Sequence, residues 1–372
     1  MKFSVSSSEL LKQLQVASGA IASNPVLPIL EDFLFTIEGN KLMIAATDLQ
    51  TSISTSIDVN ADQNGSVAVP ARILLDTLKA LPQQPITFTI DDDTYAIEIT
   101  SAYGKYKLAG EDGGDFPPIS EPTQEDSVKM PASSLSKAIS KTLFATSTDE
   151  LRPAMTGVYF QLDFNKATFV ATDAHKLVKY SFSNVESSVS TTFIVPKKAL
   201  NLLKNGLPSG ESEVTIAFND KHAFFSFDNT KLVCRLIDSR YPDYNAVIPV
   251  DNPNLLSLGR SDFQNSLKRI AIYANKTTNQ VILNISADSL NISAQDLDFS
   301  NEATEQLGCT YDGDPVTIGF NAKFLVEMLS VLESDEVKVE LSSPTRAGIL
   351  LPVEEVEGEE ILMLVMPVML SN

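Results

Sequence analysis

Hydrophobic residues recur along this chain with two different periods, and the first of them predicts amphipathic helices. Near the N-terminus, Leu10, Leu14, Ala17 and Ile21 occupy positions i, i+4, i+7 and i+11. This spacing is typical of a helix that buries one face and leaves the other in water. The same spacing returns in residues 263–274. We therefore expect related helices in the first and last thirds of the chain.

Between the predicted helices, apolar and polar residues alternate one by one. The runs 53–59, 86–90 and 95–99 are rich in Ile, Thr, Val and Tyr and follow this period of two. Such alternation is typical of antiparallel strands with one face in water. Together, the two periods predict an α+β fold.

Two sequence landmarks repeat about every 125 residues. In the first, a predicted strand ends in a small residue, a polar residue and Asp; in the second, a short strand runs into an apolar helix. The landmarks fall at Asp48, Asp173 and Asp296, and at Pro70, Pro196 and Asn321. Because common solenoid repeats are much shorter, each repeat is predicted to be a whole domain of two helices and some eight strands. The predicted domains are residues 1–120, 128–246 and 250–372.

The chain is acidic, but its basic residues are concentrated in the predicted helices. It has 28 Lys and Arg against 48 Asp and Glu, a net charge of −20, which by itself argues against nucleic-acid binding. Glu is as good a helix former as Lys and Arg, yet the helices hold twelve basic and only four acidic residues. This bias favours a basic functional surface over ordinary solvated helix faces. The predicted helices are residues 8–22, 70–81, 131–146, 196–205, 261–276 and 321–332.

Few residues offer chemistry for catalysis or metal binding. Cys234 and Cys309 are too few for a disulfide framework and could pair or remain free. No phosphate-binding glycine loop, zinc-type His-Glu-x-x-His or nucleophile elbow is present. Asp173 and His175 could form an acid–base pair, but the other two copies of this landmark have no nearby His, which favours a turn-forming role. We expect no metal, no cofactor and no catalytic site.

No uncharged apolar run is long enough to span a membrane, and the first residues do not resemble a signal peptide. These features predict a cytoplasmic protein.

Several segments, in order along the chain, carry a family resemblance. They are Met1-Lys2-Phe3, Leu27–Leu30 (LPIL), Val170–Leu177 (VATDAHKL), Asp238–Tyr244 (DSRYPDY) and Leu364–Leu370 (LVMPVML). These segments resemble the bacterial DNA polymerase III beta subunit, or sliding-clamp, family. The resemblance covers essentially the whole chain.

The resemblance implies three repeated clamp domains per subunit and a head-to-tail homodimer that closes into a ring, with helices lining the hole and sheets outside. Such a protein encircles double-stranded DNA without reading its sequence and catalyses no reaction. It acts in DNA replication as a processivity factor that tethers the replicative polymerase. The implied partners are DNA, a second copy of the chain, the polymerase, the clamp loader and other proteins with a clamp-binding peptide motif.

The resemblance also implies three sets of site residues. A hydrophobic cleft for partner peptides is expected, with the apolar C-terminal tail packed against the middle domain and with Ala174, His175 and Lys176 at its rim. The cleft would be formed by Met155, Thr172, Ala174, His175, Lys176, Leu177, Pro242, Val247, Leu364, Val365, Met366, Pro367, Val368 and Met369. The residues expected to face DNA are Arg72, Lys79, Lys137, Lys141, Arg152, Lys197, Lys198, Lys204, Lys268 and Lys276. The expected dimer interface contains Lys105, Tyr106, Lys107, Leu108, Ile272, Tyr273, Glu302 and Glu305.

The chain departs from the family pattern at some of these positions. Ala174 stands where the family usually has Gly, and Lys176, Ala246 and Met369 stand where it often has Arg. The loop Ser147–Ala154 also lacks the polar and aromatic DNA-contacting residues of relatives, so those loop contacts are not carried over.

Two other functions compete with this interpretation. One is an acidic multidomain scaffold that never meets DNA, and the other is a hydrolase that uses Asp173 and His175. Retention on closed circular DNA but not on linear DNA, after a clamp loader has acted, would distinguish a clamp from both.

Overall fold

The structure is a computed structural model that describes residues 1–22, 24–122, 126–183, 185–187, 189–210 and 212–370. The chain divides into two compact units. The first unit comprises residues 1–136 and 198–236, and the second comprises residues 137–197 and 237–372. Each unit therefore combines one outer repeat with part of the middle repeat.

All six predicted helices are present, which confirms the helical periodicity. α1, α3 and α5 end earlier than predicted; α3 and α5 continue as single 3₁₀ turns at residues Leu143–Ala145 and Ala271–Tyr273, a common way to end a helix. Within the described part of the chain, none of the helices has the length and apolar character needed to cross a bilayer. The helices are α1 (Ser7–Ser18), α2 (Ala71–Ala80), α3 (Ala132–Thr142), α4 (Lys197–Gly206), α5 (Arg260–Ile270) and α6 (Ala322–Val331).

The strands occupy most of the remaining described chain. In chain order they are β1 (Lys2–Ser6), β2 (Asp32–Glu38), β3 (Lys41–Thr47), β4 (Thr51–Asp58), β5 (Asn60–Ala61), β6 (Gly65–Pro70), β7 (Pro85–Ile90), β8 (Ala96–Thr100), β9 (Lys105–Ala109), β10 (Glu111–Asp112), β11 (Ser127–Pro131), β12 (Gly157–Leu162), β13 (Lys166–Thr172), β14 (Lys176–Ser183), β15 (Glu186–Ser187), β16 (Thr191–Pro196), β17 (Glu213–Phe218), β18 (His222–Phe227), β19 (Thr230–Arg235), β20 (Asn254–Gly259), β21 (Gln280–Ser286), β22 (Ser289–Asp296), β23 (Asn301–Gly308), β24 (Thr310–Asp312), β25 (Val316–Asn321), β26 (Glu336–Leu341), β27 (Gly348–Pro352) and β28 (Glu359–Val365).

In the first unit the strands form two antiparallel sheets. One has the order β5-β1-β7-β8-β9, and the other runs β10-β6-β2-β3-β4-β19-β18-β17-β11. The second sheet joins two repeats, because β4 of the first repeat pairs with β19 of the middle repeat, and Thr51 lies opposite Cys234.

The second unit repeats this plan. One sheet has the order β16-β12-β13-β14-β28-β27-β26-β20-β24, and the other has the order β23-β22-β21-β25. Here β14 of the middle repeat pairs with β28 of the last repeat, and Lys176 lies opposite Val365. Continuous edge-to-edge pairing explains why the units do not end at the repeat boundaries.

The predicted apolar stripes form the cores beneath the helices. Leu10, Leu14 and Ala17 of α1 are fully buried, while Ile21, beyond the helix end, is half-buried. The stripe of α5, from Phe263 to Ala274, is buried throughout at its four predicted positions. Burial of such stripes is the main term that stabilises each helix on its sheet.

The first landmark forms a turn between two paired strands. Asp48 accepts hydrogen bonds from the backbone N–H groups of Gln50 and Thr51 at 2.9 and 2.6 Å. Leu49, between them, has a φ of +73°. This is an Asx-type turn, in which a short carboxylate holds the backbone in place of a regular ladder.

Both cysteines are free thiols, and Cys234 is buried.

Candidate functional site

The residues predicted to line a peptide cleft gather around one apolar cluster in the second unit. Leu177 of β14 and Leu364 of β28 lie opposite each other and are buried. They pack in a cluster with Val170, Ile194 and Ile349. The floor of the predicted cleft is therefore built jointly by the middle and last repeats.

Three tyrosines that were not among the predicted cleft residues complete this floor. The Tyr241 ring stacks on Tyr159, with ring centroids 4.5 Å apart, and its hydroxyl donates to the Val170 carbonyl at 3.2 Å. The Tyr244 hydroxyl donates to Gln161. Burial raises the pKa of both Tyr241 and Tyr244, so both phenols stay neutral donors. Tyr241 and Tyr244 lie in the DSRYPDY segment, and the family resemblance of this segment could have identified them from the sequence.

The edge of the floor is formed by Thr172 and by the three residues between β13 and β14, Asp173, Ala174 and His175. Asp173 Oδ1 accepts hydrogen bonds from the N–H groups of His175 and Lys176 at 2.9 and 2.8 Å. Thr172 donates its hydroxyl to the Lys176 carbonyl at 2.8 Å and is itself buried. Ala174 adopts a φ of +74°, a conformation that glycine reaches without strain. The Gly usual in the family at this position thus has a physical reason.

Lys176 does not form part of an exposed rim, contrary to the prediction. It is 5% exposed, and its ammonium lies 2.8 Å from Asp173 and 3.4 Å from Glu327. The same ammonium lies 4.2 Å from the centre of the Phe324 ring. These partners turn the side chain toward α6, so the rim contains the exposed Ala174 and His175 without a free cation.

Several predicted cleft residues lie at the surface beside this floor. Val247, Met366 and Met369 are 56%, 39% and 69% exposed. Pro242 is also exposed, and Met155 is half-buried. Large apolar side chains left in water at one place are typical of a binding surface.

The C-terminal tail follows two strands in turn. Val365 pairs with Lys176, and the Met366 N–H donates to the His175 carbonyl at 2.8 Å. The expectation that the whole tail packs on the middle repeat is wrong beyond this point. Val368 is half-buried and pairs instead with Gly319 of the last repeat. A side chain at Gly319 would approach the Val368 carbonyl to 2.8 Å, so glycine makes this pairing possible. Pro367, between the two contacts, is also half-buried.

The residues predicted to face DNA divide into two groups. The first group is exposed and available for phosphate contacts. It consists of Arg72, Lys79, Lys204, Lys268 and Lys276.

Lys137 and Lys141 belong to the second group and do not present a free charge to solvent, contrary to the prediction. The Lys137 ammonium lies 2.7 Å from Glu359 and 3.1 Å from Glu333. Burial alone would lower the pKa of Lys137, but its hydrogen bonds to these carboxylates raise it. The Lys141 side chain is 7% exposed and lies 3.7 Å from Glu333; burial lowers its pKa. Both lysines tie α3 to the last repeat.

The remaining basic residues of this set are also engaged. Lys198 pairs with Asp48, and Arg152 pairs with Asp149 at 2.8 Å within its own loop. Lys197 is half-buried. The basic surface is therefore smaller than the helix composition suggested.

The predicted dimer residues lie at sheet edges. β9 is the last strand of its sheet in the first unit. Lys105 and Lys107 point to its exposed face, while Tyr106 and Leu108 are half-buried and buried. Lys105 pairs with Glu98 of the neighbouring strand at 2.7 Å.

The second half of the predicted interface lies on the second unit. Ile272 and Tyr273 are 65% and 43% exposed, and β23 is the last strand of its sheet, with Glu302 exposed. Glu305, a predicted interface residue, is already paired within its own chain, because Arg269 donates to both of its carboxylate oxygens, at 2.8 and 2.7 Å.

These repeats and edge-joined sheets place the chain in the DNA clamp class. Three models of the DNA polymerase III beta subunit match it: the N-terminal domain over residues 1–120, the central domain over 129–243 and the C-terminal domain over 245–368. The chain therefore belongs to the DNA polymerase III beta subunit family. It is a sliding clamp, a non-catalytic processivity factor of DNA replication.

Known proteins resemble the chain over its full length. The beta sliding clamp of Vibrio cholerae is 29% identical over 372 residues, covering 100% of both chains. That of Synechococcus elongatus is 29% identical over 382 residues, again covering 100% of both. The solved structure of the Pseudomonas aeruginosa sliding clamp bound to griselimycin has a TM-score of 0.94 and 26% identity, covering 100% of both chains.

Proposed function

We propose that two copies of this chain close head to tail around double-stranded DNA and hold replication and repair proteins through the cleft. In each copy, residues 1–120, 128–246 and 250–372 would form the three clamp domains. The partners would be the replicative polymerase, the clamp loader and other proteins with clamp-binding peptides. Because the protein would act in DNA replication, we assign it to the cytoplasm.

Two free sheet edges support the dimer. β9 carries Lys105 and Lys107, and β23 carries Glu302, so the edges have opposite charge. An open edge invites pairing with another chain, and β-pairing with opposite charges across it is favourable. Ile272 and Tyr273, both well exposed, would add apolar area.

The exposed basic residues on α2, α4 and α5 support DNA binding. Arg72, Lys79, Lys204 and Lys268 are exposed, and helices that line a hole would bring such charges near phosphates. Contacts of this kind are independent of sequence and weaken with salt.

The observation that carries the peptide proposal is the exposed apolar set above a buried apolar floor. Val247 and Met366 remain in water on segments that continue from Tyr244 and Leu364 of the floor, and Met369 is exposed three residues further along the tail. Methionine adapts to ligands of different shape, and short peptides bind by burying a few apolar anchors. A hub for several partners needs this adaptability.

A pair of charge insertions tests the cleft. Val247→Asp with Met369→Asp changes two exposed residues, so folding should be unaffected. Griselimycin, which is bound to the P. aeruginosa clamp, serves as the calorimetric probe. We expect at least about a hundredfold loss of griselimycin affinity and loss of polymerase stimulation. The control, Val250→Asp with Val353→Asp, changes residues that are 99% and 43% exposed and should bind normally. Equal binding by both double variants would refute the site.

The hydrolase alternative has no support in the geometry. Asp173 uses one carboxylate oxygen for two backbone N–H groups and the other for Lys176. This is the turn role that the repeat predicted.

A further inference from the structure

Strands of successive repeats pair at two places in the chain, β4 with β19 and β14 with β28. These two internal joints have the same register. β4, β14 and β23 begin at Thr51, Lys176 and Asn301, each 125 residues after the last. Thr51 lies opposite Cys234, and Lys176 lies opposite Val365. Asn301 has the equivalent position on the unpaired edge of β23.

Following the paired residues across each hairpin identifies the residue of β9 that Asn301 should lie opposite. Leu108 lies opposite Ile97, and Ile97 lies opposite Ile90. Cys234 likewise lies opposite Ala223, which lies opposite Phe218. Leu108 on the unpaired edge of β9 is thus the equivalent of Cys234 and Val365. The same register then places Glu302 opposite Lys107, and Ala303 opposite Tyr106.

At each internal joint, a residue of the turn or the first residue of the strand also contacts the second helix of the next repeat. Asp48 pairs with Lys198 of α4. Lys176 lies 4.2 Å from the centre of the Phe324 ring of α6. Counting from the second landmark, Arg72 of α2 is the equivalent of Lys198, and Ile73 is the equivalent of Phe324.

The third turn, between β22 and β23, is two residues longer and carries two large apolar side chains. Asp296 is separated from Asn301 by Leu297, Asp298, Phe299 and Ser300, whereas two residues separate Asp173 from Lys176. Leu297 and Phe299 are 78% and 72% exposed. A polar turn would be expected if this loop stayed in water.

The corresponding helix surface, on α2, likewise leaves an apolar side chain exposed. Ile73 of α2 is 52% exposed. It borders a cavity of about 650 Å³ that Ile21, Arg72, Leu75 and Asp76 also line.

We propose that Leu297 and Phe299 of one copy dock on Ile73 and the adjoining cavity of a second copy, with β23 and β9 paired in the register of the internal joints. Arg72 of the second copy would face Asp298 of the first, as Lys198 faces Asp48 within the chain. The inference rests on the proposed dimer and identifies the contact that locks it. An apolar lock takes the place of the cation–π contact between Lys176 and Phe324, while the ion pair of the first internal joint keeps a counterpart in Arg72 and Asp298.

Charge insertion and charge exchange test the lock in the full-length protein. Phe299→Asp and Ile73→Asp should each weaken dimerisation about 30-fold or more, measured by analytical ultracentrifugation. Ile73→Lys combined with Phe299→Glu should restore the dissociation constant to within about threefold, because the two positions then hold opposite charges. Phe164→Asp, at a residue that is 63% exposed elsewhere on the second unit, is the control and should leave the dimer unchanged.

Cysteine cross-linking tests the register. With Cys309 changed to Ser, Lys107→Cys plus Glu302→Cys should form a covalent dimer on oxidation, because opposed residues lie within disulfide reach. Lys107→Cys plus Thr304→Cys should not form a covalent dimer, because the register places Thr304 opposite Lys105, two residues along β9 from Lys107.

The outcomes separate the lock from the dimer itself. A monomeric wild-type chain at micromolar concentration would overturn the proposed dimer. A stable wild-type dimer whose dissociation constant is unchanged by Phe299→Asp, and by Phe299→Ala if the charged variant misfolds, would overturn the lock alone.

Discussion

At the scale of single residues, backbone conformation explains features that residue type alone leaves open. Leu49 and Ala174 occupy equivalent places in the first two Asp turns, with φ values of +73° and +74°. Neither residue type favours this conformation, which costs roughly 1–2 kcal/mol outside glycine. The repeated turn geometry is therefore imposed by the Asp side chain and the strands, not by local preference.

Ala174→Gly should stabilise the second unit. The strain of a positive φ disappears, and the greater freedom of glycine in the unfolded chain offsets part of the gain, which leaves roughly 0.5–1 kcal/mol. Urea unfolding followed by tyrosine fluorescence measures this. Ala246→Gly, in a right-handed 3₁₀ turn, is the control and should destabilise by about 0.5 kcal/mol; equal effects of both changes would contradict the account.

Asp32 should make the first unit less stable as pH rises. Burial, with the charges of Glu111 and Glu31, raises the pKa of Asp32 to about 6. Between about pH 4 and 6 the folded protein holds a proton that the unfolded chain has lost, so stability falls over that window and stays lower above it. Asp32→Asn should therefore gain about 1–2 kcal/mol at pH 7.5 and nothing at pH 4.

Thermal unfolding at the two pH values measures the Asp32 effect. The exposed Asp58→Asn is the matched control and should show no such pH dependence. A gain for Asp32→Asn that is equal at pH 4 and pH 7.5 would show that the carboxylate charge is not its cause.

At the scale of elements, ion pairs join α3 to the last repeat. Lys137 lies between Glu333 and Glu359. Burial raises the pKa of Glu359, but its contacts with Lys137, Tyr180 and Lys141 together outweigh burial and hold the pKa below its usual value. The stabilisation is therefore present above the unfolded pKa of Glu359, about 4.3, and is lost as pH falls through the lower folded pKa.

Lys137→Met should destabilise the second unit by about 1–3 kcal/mol at pH 7, because two carboxylates lose their partner. Adding Glu359→Gln should recover part of the loss, and the double-mutant cycle gives the coupling. Lys338→Met, whose partner Glu340 lies on the same strand, is the control and should cost at most about 0.5 kcal/mol. Similar losses for both single variants would contradict a special role for the α3 contact.

At the scale of the whole molecule, excess negative charge and a basic helix surface coexist. The net charge of −20 repels DNA from most of the surface. A ring would let the protein stay on DNA by topology, so the basic residues need not bind tightly. Charge reversal tests the surface that the structure leaves exposed.

Changing Lys12, Lys79, Lys204 and Lys268 to Glu should reduce loading on primed circular DNA about tenfold at low salt, with a smaller effect at high salt. Each of these lysines is exposed on a helix. Changing Lys2, Lys41, Lys129 and Lys221, exposed on strands and a turn, gives the same net charge and should load normally. Equal loading by the two quadruple variants would show that the helix charges do not guide DNA.

The repeats, the six helices and the family follow from the order of amino acids alone. The reason is that periodic burial and the Asp turns are local patterns, visible within ten or twenty residues. Periodicity also identified the buried stripes of α1 and α5 correctly.

Which charges are free, and how the repeats join, depends instead on contacts between distant parts of the chain. Lys137, Lys141 and Lys176 look like surface lysines in the sequence, but glutamates distant along the chain bind or neutralise them. The path of the tail also depends on Gly319, far from Val368 in sequence. Pairing between distant segments leaves no local pattern, because the free energy of a charge or an edge depends on what the fold places beside it.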